Sequence, residues 1–400
     1  MAEAALSASV VKRHPHLGTL VVAAAVSTLA LTMFIPSMPG MAEAFGTSYS
    51  TVQLALSLYL FTTAIVQLVS GPLSDLYGRR PVMLGSMALF ILGTIVCLVA
   101  PTVEWLLAGR VVQAASAAGL ILSRTIIRDL FAREKAASMI GYTVMAMAVA
   151  PMVGPWIGGL LDEAMGWRGS FYVMLAIGIL SFALAMSDLV ETNPNLGRSI
   201  GEQVSAYRSL LSTKAYWIFV GAGSFASAVF FGFLGGAPKL ADVALGMSPS
   251  AYGAWFAFCA GGYVIGNFVS GRFAERAGLG RMIMFGAMLS VAGPAAIAGS
   301  FWYGWEHPFA LFGWIALTGV GNGMVLPSNV AGAISIRPDA SGAASGLLGT
   351  MQTMTGAVAS VIAAWAVGDG TQALPFAFVL VLAGGLGLAF AIGCARVLRT

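Results

Sequence analysis

Apolar residues in this chain come in runs of about 20, the length needed to cross a bilayer as a helix. Each run closes on a Gly, Pro or charged break. The pattern predicts helices at 17–38, 50–72, 81–100, 104–127, 136–160, 168–189, 214–236, 250–272, 281–300, 308–332, 341–366 and 373–395. Twelve crossings return both ends to one side. The longest hydrophilic stretch, 190–213, falls between the sixth and seventh runs. It divides the chain into an N-terminal six-helix bundle (1–189), a linker (190–213) and a C-terminal six-helix bundle (214–400). Lys12 and Arg13 precede the first run, as in a secretory leader. That run is long for a leader's apolar core and many more follow, so it is read as the first span.

Composition makes lipid a necessary part of the surroundings. Apolar residues make up 58% of the 400 and charged residues 9%, against about 25% charged in soluble domains. A globule of this length cannot hide so much apolar surface, so the fold class is an all-α polytopic membrane protein. Fifty glycines agree, because Gly lets membrane helices approach closely. The net charge of +4 carries no dense Lys/Arg cluster, which argues against a nucleic-acid partner. Sixteen of the twenty basic residues fall in the loops on the side of the termini or in the termini themselves: Lys12, Arg13, Arg79, Arg80, Arg128, Arg133, Lys135, Arg198, Arg208, Lys214, Arg272, Arg276, Arg281, Arg337, Arg396 and Arg399. The opposite loops hold Arg168 and Lys239. Basic loops stay inside, so both termini and the linker are expected in the cytoplasm, with the chain in the cytoplasmic (inner) membrane. Cys97, Cys259 and Cys394 each sit in an apolar run and read as packing residues, while His14, His16 and His307 show no metal-ligand spacing.

The two halves carry a repeat. VSGPLSDLYGRRPVM begins at Val69 and VSGRFAERAGLGRMI at Val269, so Val69, Ser70, Gly71 and Gly78 recur 200 positions later, and Asp75 is matched in charge by Glu275. Parallel six-helix halves related by an axis along the membrane normal are the expected source. Gly71-Pro-Leu-Ser-Asp75-Leu-Tyr-Gly78-Arg79-Arg80 resembles the signature loop of the major facilitator superfamily, between its second and third helices. In it, Gly71 and Gly78 permit a tight turn, Asp75 can meet a helix N-terminus or a basic residue, and Arg79 and Arg80 can pair with acids or lipid phosphates.

Two further strings sharpen the resemblance. Arg110-Val-Val-Gln113 followed by Ala-Ala-Ser-Ala-Ala-Gly119 is similar to the superfamily's fourth-helix motif. Arg110, Gln113, Ala114, Ala117, Ile121, Arg124 and Arg128 recur on one helical face, and such a face cannot meet lipid cheaply, so it is expected to line a wet cavity. The fifth run holds Ala150-Pro151-Met152-Val153-Gly154-Pro155-Trp156-Ile157-Gly158-Gly159, which resembles the antiporter motif of drug exporters. Its prolines free carbonyls and its glycines allow close packing on the eighth helix or a bend. With Ile35-Pro36-Ser37-Met38-Pro39, Leu56-Ser57-Leu58-Tyr59, Arg128-Asp129 and Gly166-Trp167-Arg168, the chain is most similar to the Bcr/CflA branch, which includes bicyclomycin and chloramphenicol/florfenicol exporters. The resemblance implies efflux and antibiotic resistance by proton antiport, with no bound cofactor and a protein that works as a monomer. Gly71, Asp75, Gly78, Arg79, Arg80, Arg110, Arg124, Gly154, Pro155, Gly158 and Gly159 are the coupling and gating candidates.

One departure bears on the cargo. Thr32 stands where that branch usually has an acid, and no Asp or Glu lies deep in any run. A cavity made neutral to positive by Arg110 and Arg124 suits a neutral, zwitterionic or anionic amphipathic compound. It also leaves the proton without its usual carrier. Substrate sites in this architecture lie near the midplane between the halves. The candidates there are Thr28, Thr32, Phe34, Tyr59, Arg110, Gln113, Tyr142 and Met145 in the first half, and Phe230, Phe231, Tyr263, Asn267, Asn322, Asn329 and Gln352 in the second. The competing readings are weaker. A metabolite importer is disfavoured by the fifth-helix motif. A membrane enzyme would need a nucleophile with a base, paired acids or metal ligands, and the spans offer no Asp, Glu or His. A receptor has no soluble sensing domain here, and no Gly-Lys phosphate loop indicates ATP use.

Overall fold

The computed structural model describes residues 15–131, 133–193, 207–337 and 341–398. Its backbone is helical almost throughout. Among the described residues, twelve long helical rods follow one another: α1 (Leu17–Ala44), α2 (Tyr49–Tyr77), α3 (Arg79–Leu98), α4 (Val103–Leu130), α5 (Arg133–Met165), α6 (Arg168–Asp188), α7 (Lys214–Val243), α8 (Pro249–Ala277), α9 (Leu279–Trp302), α10 (Pro308–Ile336), α11 (Ser341–Val367) and α12 (Ala373–Val397). Among the described residues, ten of them, all but α5 and α8, are long and apolar enough by themselves to cross a membrane.

The rods begin close to where the apolar runs begin but outlast several of them. The run ending at 72 continues as helix to Tyr77, and the one ending at 236 continues through Pro238 to Val243. Hydropathy marks where lipid ends, whereas backbone hydrogen bonding carries on into the polar surface. Two rods are interrupted inside. α1 is regular to Thr32, tightens into a 3-10 turn at Ile35–Ser37 and resumes at Met38–Ala44. Pro36 and Pro39 have no N–H to continue the ladder. α4 is regular over Val103–Gln113 and from Ala117 to Leu130, with a 3-10 turn at Ala114–Ser116 where no proline forces it.

Within the first six rods, α3 packs on α4 and α6, and α1 packs on α4, α5 and α6. Within the last six, α7 packs on α11 and α12, while α10 lies between α8 and α9. Two long seams join these sets, α5 along α8 and α2 along α11. Outward-facing positions such as Phe268, Trp365 and Leu382 are exposed, as the lipid-facing surface of a membrane bundle requires.

Candidate functional site

Among the described residues the largest fully buried side chain is Arg110, on α4 one turn before its 3-10 interruption. Its guanidinium lies between two aromatic rings, with Cζ 4.2 Å from the centroids of both Phe34 and Tyr59. Nε donates to the Ala55 carbonyl of α2 at 3.2 Å and Nη1 to the Ala30 carbonyl of α1 at 3.0 Å. Ala30 sits in the last turn before the α1 break, where carbonyls lose their helical amides. Nη1 also donates to Gln113 Oε1. Gln113 Nε2 in turn donates to Thr94 Oγ1 on α3 at 2.8 Å, and Tyr59 is tied to Ser27 and Ser116. Phe34, Tyr59, Arg110 and Gln113 are therefore brought together.

Their surroundings differ from the wet cavity predicted for that helix face. Arg110 and Gln113 are both 0% exposed. Carbonyls, a carboxamide and two π-faces take the place of water around the charge, which is how a buried cation is made affordable without an acid. Among the described residues no carboxylate pairs with Arg110, and Nη2 is buried with no hydrogen-bond partner. The face itself is broken by the 3-10 turn. Arg128 ends up exposed beside Thr125, and Arg124 lies within electrostatic reach of Tyr263 on α8.

Thr32 is buried, its hydroxyl donating to the Thr28 carbonyl at 3.0 Å. It packs against Gly154 of α5, where a Cβ would lie 2.8 Å from Thr32 Oγ1. One turn on, a Cβ at Gly158 would lie 1.7 Å from the Met33 carbonyl oxygen. These two glycines therefore face α1, not α8. Gly159 faces α8 instead: a Cβ there would lie 2.2 Å from the Pro249 oxygen, and α8's Gly253 meets the Pro155 carbonyl just as closely. The single motif clamps the α1 break on one side and the seam between the halves on the other.

The signature string is mostly helix. Gly71 lies inside α2 with open space around it and makes no turn. Gly78 alone makes the link, at φ +103°, a conformation that suits glycine. Asp75 meets Arg79 at 2.5 Å, and Arg79 also bonds Ser74 at 2.6 Å and Asp129 at 3.1 Å. The N-terminus of α3 is taken by a residue that sequence reasoning missed. Glu191 accepts the backbone N–H of Arg79 at 2.9 Å and of Arg80 at 3.1 Å. Burial opposes ionisation of Glu191, but the amides of Asn193, Arg79, Arg80 and Thr192 outweigh it and hold the carboxyl below its usual range. Arg80 reaches the carbonyls of Leu189 and Met186. Glu191 lies more than a hundred residues from the motif, so no local signal could have pointed to it.

The second-half candidates do not form one cluster. Phe230 and Phe231 border an aromatic core with Phe256, their own rings 5.4 Å apart. Asn322 accepts from Ser290 at 3.3 Å between α9 and α10, and Asn267 donates to the Tyr263 carbonyl at 2.8 Å on its own helix. Gln352 and Asn329 both lie against Gly223 of α7, and Asn329 Nδ2 donates to the Phe219 carbonyl at 2.9 Å. The side chains of Tyr142 and Met145 lie outside the described residues, as do Lys12, Arg13 and Arg198.

Comparison with known proteins bears on the family and the fold. The Major Facilitator Superfamily family pattern matches residues 20–244. The MFS-type transporter YdgK of Bacillus subtilis (strain 168) is 30% identical, covering 92% of this chain and 92% of its own length. The chloramphenicol resistance protein of Pseudomonas aeruginosa is 29% identical over 78% of this chain and 73% of its own. Multidrug resistance protein D of Escherichia coli (strain K12) is 28% identical, with coverages of 86% and 87%. In fold, the chain resembles a bacterial homologue of the lysosomal transporter Spinster in an inward-facing, unoccupied conformation, with a TM-score of 0.76 and 17% identity, covering 96% of this chain and 97% of that one. The nucleoside transporter NupG has the same TM-score at 12% identity, covering 95% and 98%.

Proposed function

The chain belongs to the major facilitator superfamily, and from that premise we propose that this transporter exports a small amphipathic compound in exchange for protons. The observation that carries the reading is the α5 motif. Gly154 and Gly158 press on the α1 break while Gly159 and Pro155 press on α8, so a movement of α1 is transmitted to the seam between the halves. The relatives named for chloramphenicol and multidrug resistance support the export direction. On this reading the segments 1–189 and 214–400 rock against each other in alternating access, joined by the linker 190–213. Both termini are cytoplasmic, the membrane is the inner one, and a monomer suffices.

The charge of the cargo follows from Arg110. Its positive charge has no carboxylate partner among the described residues and is insulated from water, so its field in the adjoining membrane interior repels cations. A neutral, zwitterionic or anionic compound is the expected substrate. Purified protein in liposomes, challenged with chloramphenicol-like neutral, anionic and lipophilic cationic compounds under an imposed pH gradient, tests both parts. Cation export would refute the charge argument. Export indifferent to the gradient would refute proton exchange.

A further inference from the structure

At the end of the molecule away from the termini, a cavity of about 150 Å³ straddles the two halves. The first half lines it with Pro36, Pro39, Gly40 and two acids, Glu43 of α1 and Asp162 of α5. The second half adds Asp242 of α7 and Tyr252 of α8. Three carboxyl groups, Asp162 and Asp242 half-buried and Glu43 exposed, therefore border one small space, and among the described residues no basic side chain lines it. Tyr252 is 3% exposed and its hydroxyl is buried with no hydrogen-bond partner, an orphaned polar group in the cavity wall. The Ser37 hydroxyl is buried beside Asp162 at the α1 break.

We propose that this cavity is a proton-binding site, with Asp162 the principal acceptor, that takes up protons when the seam between the halves closes. Separated halves leave the carboxylates hydrated and apart. Closure gathers their negative charges around one small space at the seam, where Glu163 also acts on Asp162, and a proton removes repulsion together with part of the desolvation cost at half-buried Asp162. The neighbouring charges do not replace it. Lys239 of α7 lies 3.7 Å from Asp242 and acts electrostatically on Asp369 as well. Glu163 is turned to the α8 N-terminus, accepting the Ser250 N–H at 3.0 Å, which holds the seam without a proton. Tyr49 of α2 is already engaged, donating to the Gly235 carbonyl at 2.8 Å. Closure is thus strongest at low pH and weakens as pH rises. The site rests on alternating access between the halves, but not on the direction of export or on its exchange for protons.

The test reads conformation directly. Thr102→Cys and Tyr303→Cys place spin labels on exposed loops of the two halves, while Cys97, Cys259 and Cys394 are buried. Their separation is measured in lipid nanodiscs from about pH 5 to about pH 9, the range over which a perturbed carboxyl titrates. The closed-to-open ratio is expected to fall about threefold to tenfold per pH unit through the transition, tenfold being the limit for one proton. Asp162→Asn should hold the closed distance across the range, and Asp162→Glu should retain a response. If Asp162→Asn does not fold, Glu43→Gln combined with Asp242→Asn must at least halve the slope. A full wild-type response in either variant overturns the proposal. So does a flat response in the unmodified protein, or a ratio that follows sodium or ammonium at constant pH, which would make the cavity a cation site. Transport indifferent to a pH gradient, with this response intact, would remove proton exchange and leave the site standing.

Discussion

Adding one methyl group at Gly158 should damage the fold far more than adding one at Gly159, although the two are neighbours. A Cβ at position 158 would lie 1.7 Å from the Met33 carbonyl oxygen. An ordinary C···O contact is about 3.3 Å, so α1 and α5 must part by roughly 1.6 Å. The Cβ is fixed by the α5 backbone and its neighbour is a backbone carbonyl, so no rotamer change relieves the clash. Overpacking costs typically 1–3 kcal/mol, and a rigid clash within one half falls at about the upper end. For a half of this size that corresponds to a loss of roughly 6–12 °C in unfolding temperature. At position 159 the clash is also with backbone, 2.2 Å from the Pro249 oxygen, but it lies across the seam. There the protein can escape by leaving the seam open. Gly159→Ala should therefore unfold within a few degrees of the parent while losing about tenfold or more of its transport rate, since closing the seam now costs at least about 1.4 kcal/mol. Gly85→Ala, on α3 at a position with nothing within 4 Å, is the control. Thermal unfolding in detergent and uptake into liposomes provide the two readouts. If Gly158→Ala were as stable as Gly85→Ala, or if Gly159→Ala lost stability and kept transport, the division of the motif between α1 and the seam would be wrong.

Three further outcomes follow from the site. Arg110→Ala leaves the Ala30 carbonyl and Gln113 unpaired inside the bundle and should cost about 2–4 kcal/mol. Arg110→Met, which fills the space between Phe34 and Tyr59, should recover part of that stability, and equal unfolding temperatures for the two would argue against the packing role. Glu191 is held below the usual carboxylate range, so its contribution is present above its ordinary pKa and is lost as pH falls through the lowered value. Glu191→Gln should consequently flatten the acid limb of stability against pH, and an unchanged limb would assign that limb to other carboxyls. Gly78→Ala forces a positive φ on an L-residue and sets a Cβ 2.4 Å from Glu191 Oε2; proteolysis at the 77–80 link should become faster, whereas Gly71→Ala should leave it unchanged.

Residues that act through local chemistry were legible in the chain itself. Apolar runs of bilayer length set out the twelve rods, and Gly78, one of two glycines that read as a turn, makes the α2–α3 link, whereas Gly71 lies inside α2 and the run 17–38 reads as unbroken across Pro36 and Pro39. The lack of a deep acid, and the presence of a deep arginine, were also visible without coordinates. What surrounds that arginine was not. Hydropathy reports how a segment divides between lipid and water, but it cannot tell an aqueous cavity from an interior in which carbonyls and aromatic rings do the solvating. Only the approach of α1 and α2 to α4 decided that Arg110 is enclosed by Phe34, Tyr59, Ala30 and Ala55. Glu191 at the α3 N-terminus, Asp129 on Arg79 and the acid-lined cavity between the halves are likewise contacts across long separations in sequence. Periodicity determines which face of a helix is polar, whereas the partner of that face is set by which helices pack together, a property of the whole bundle.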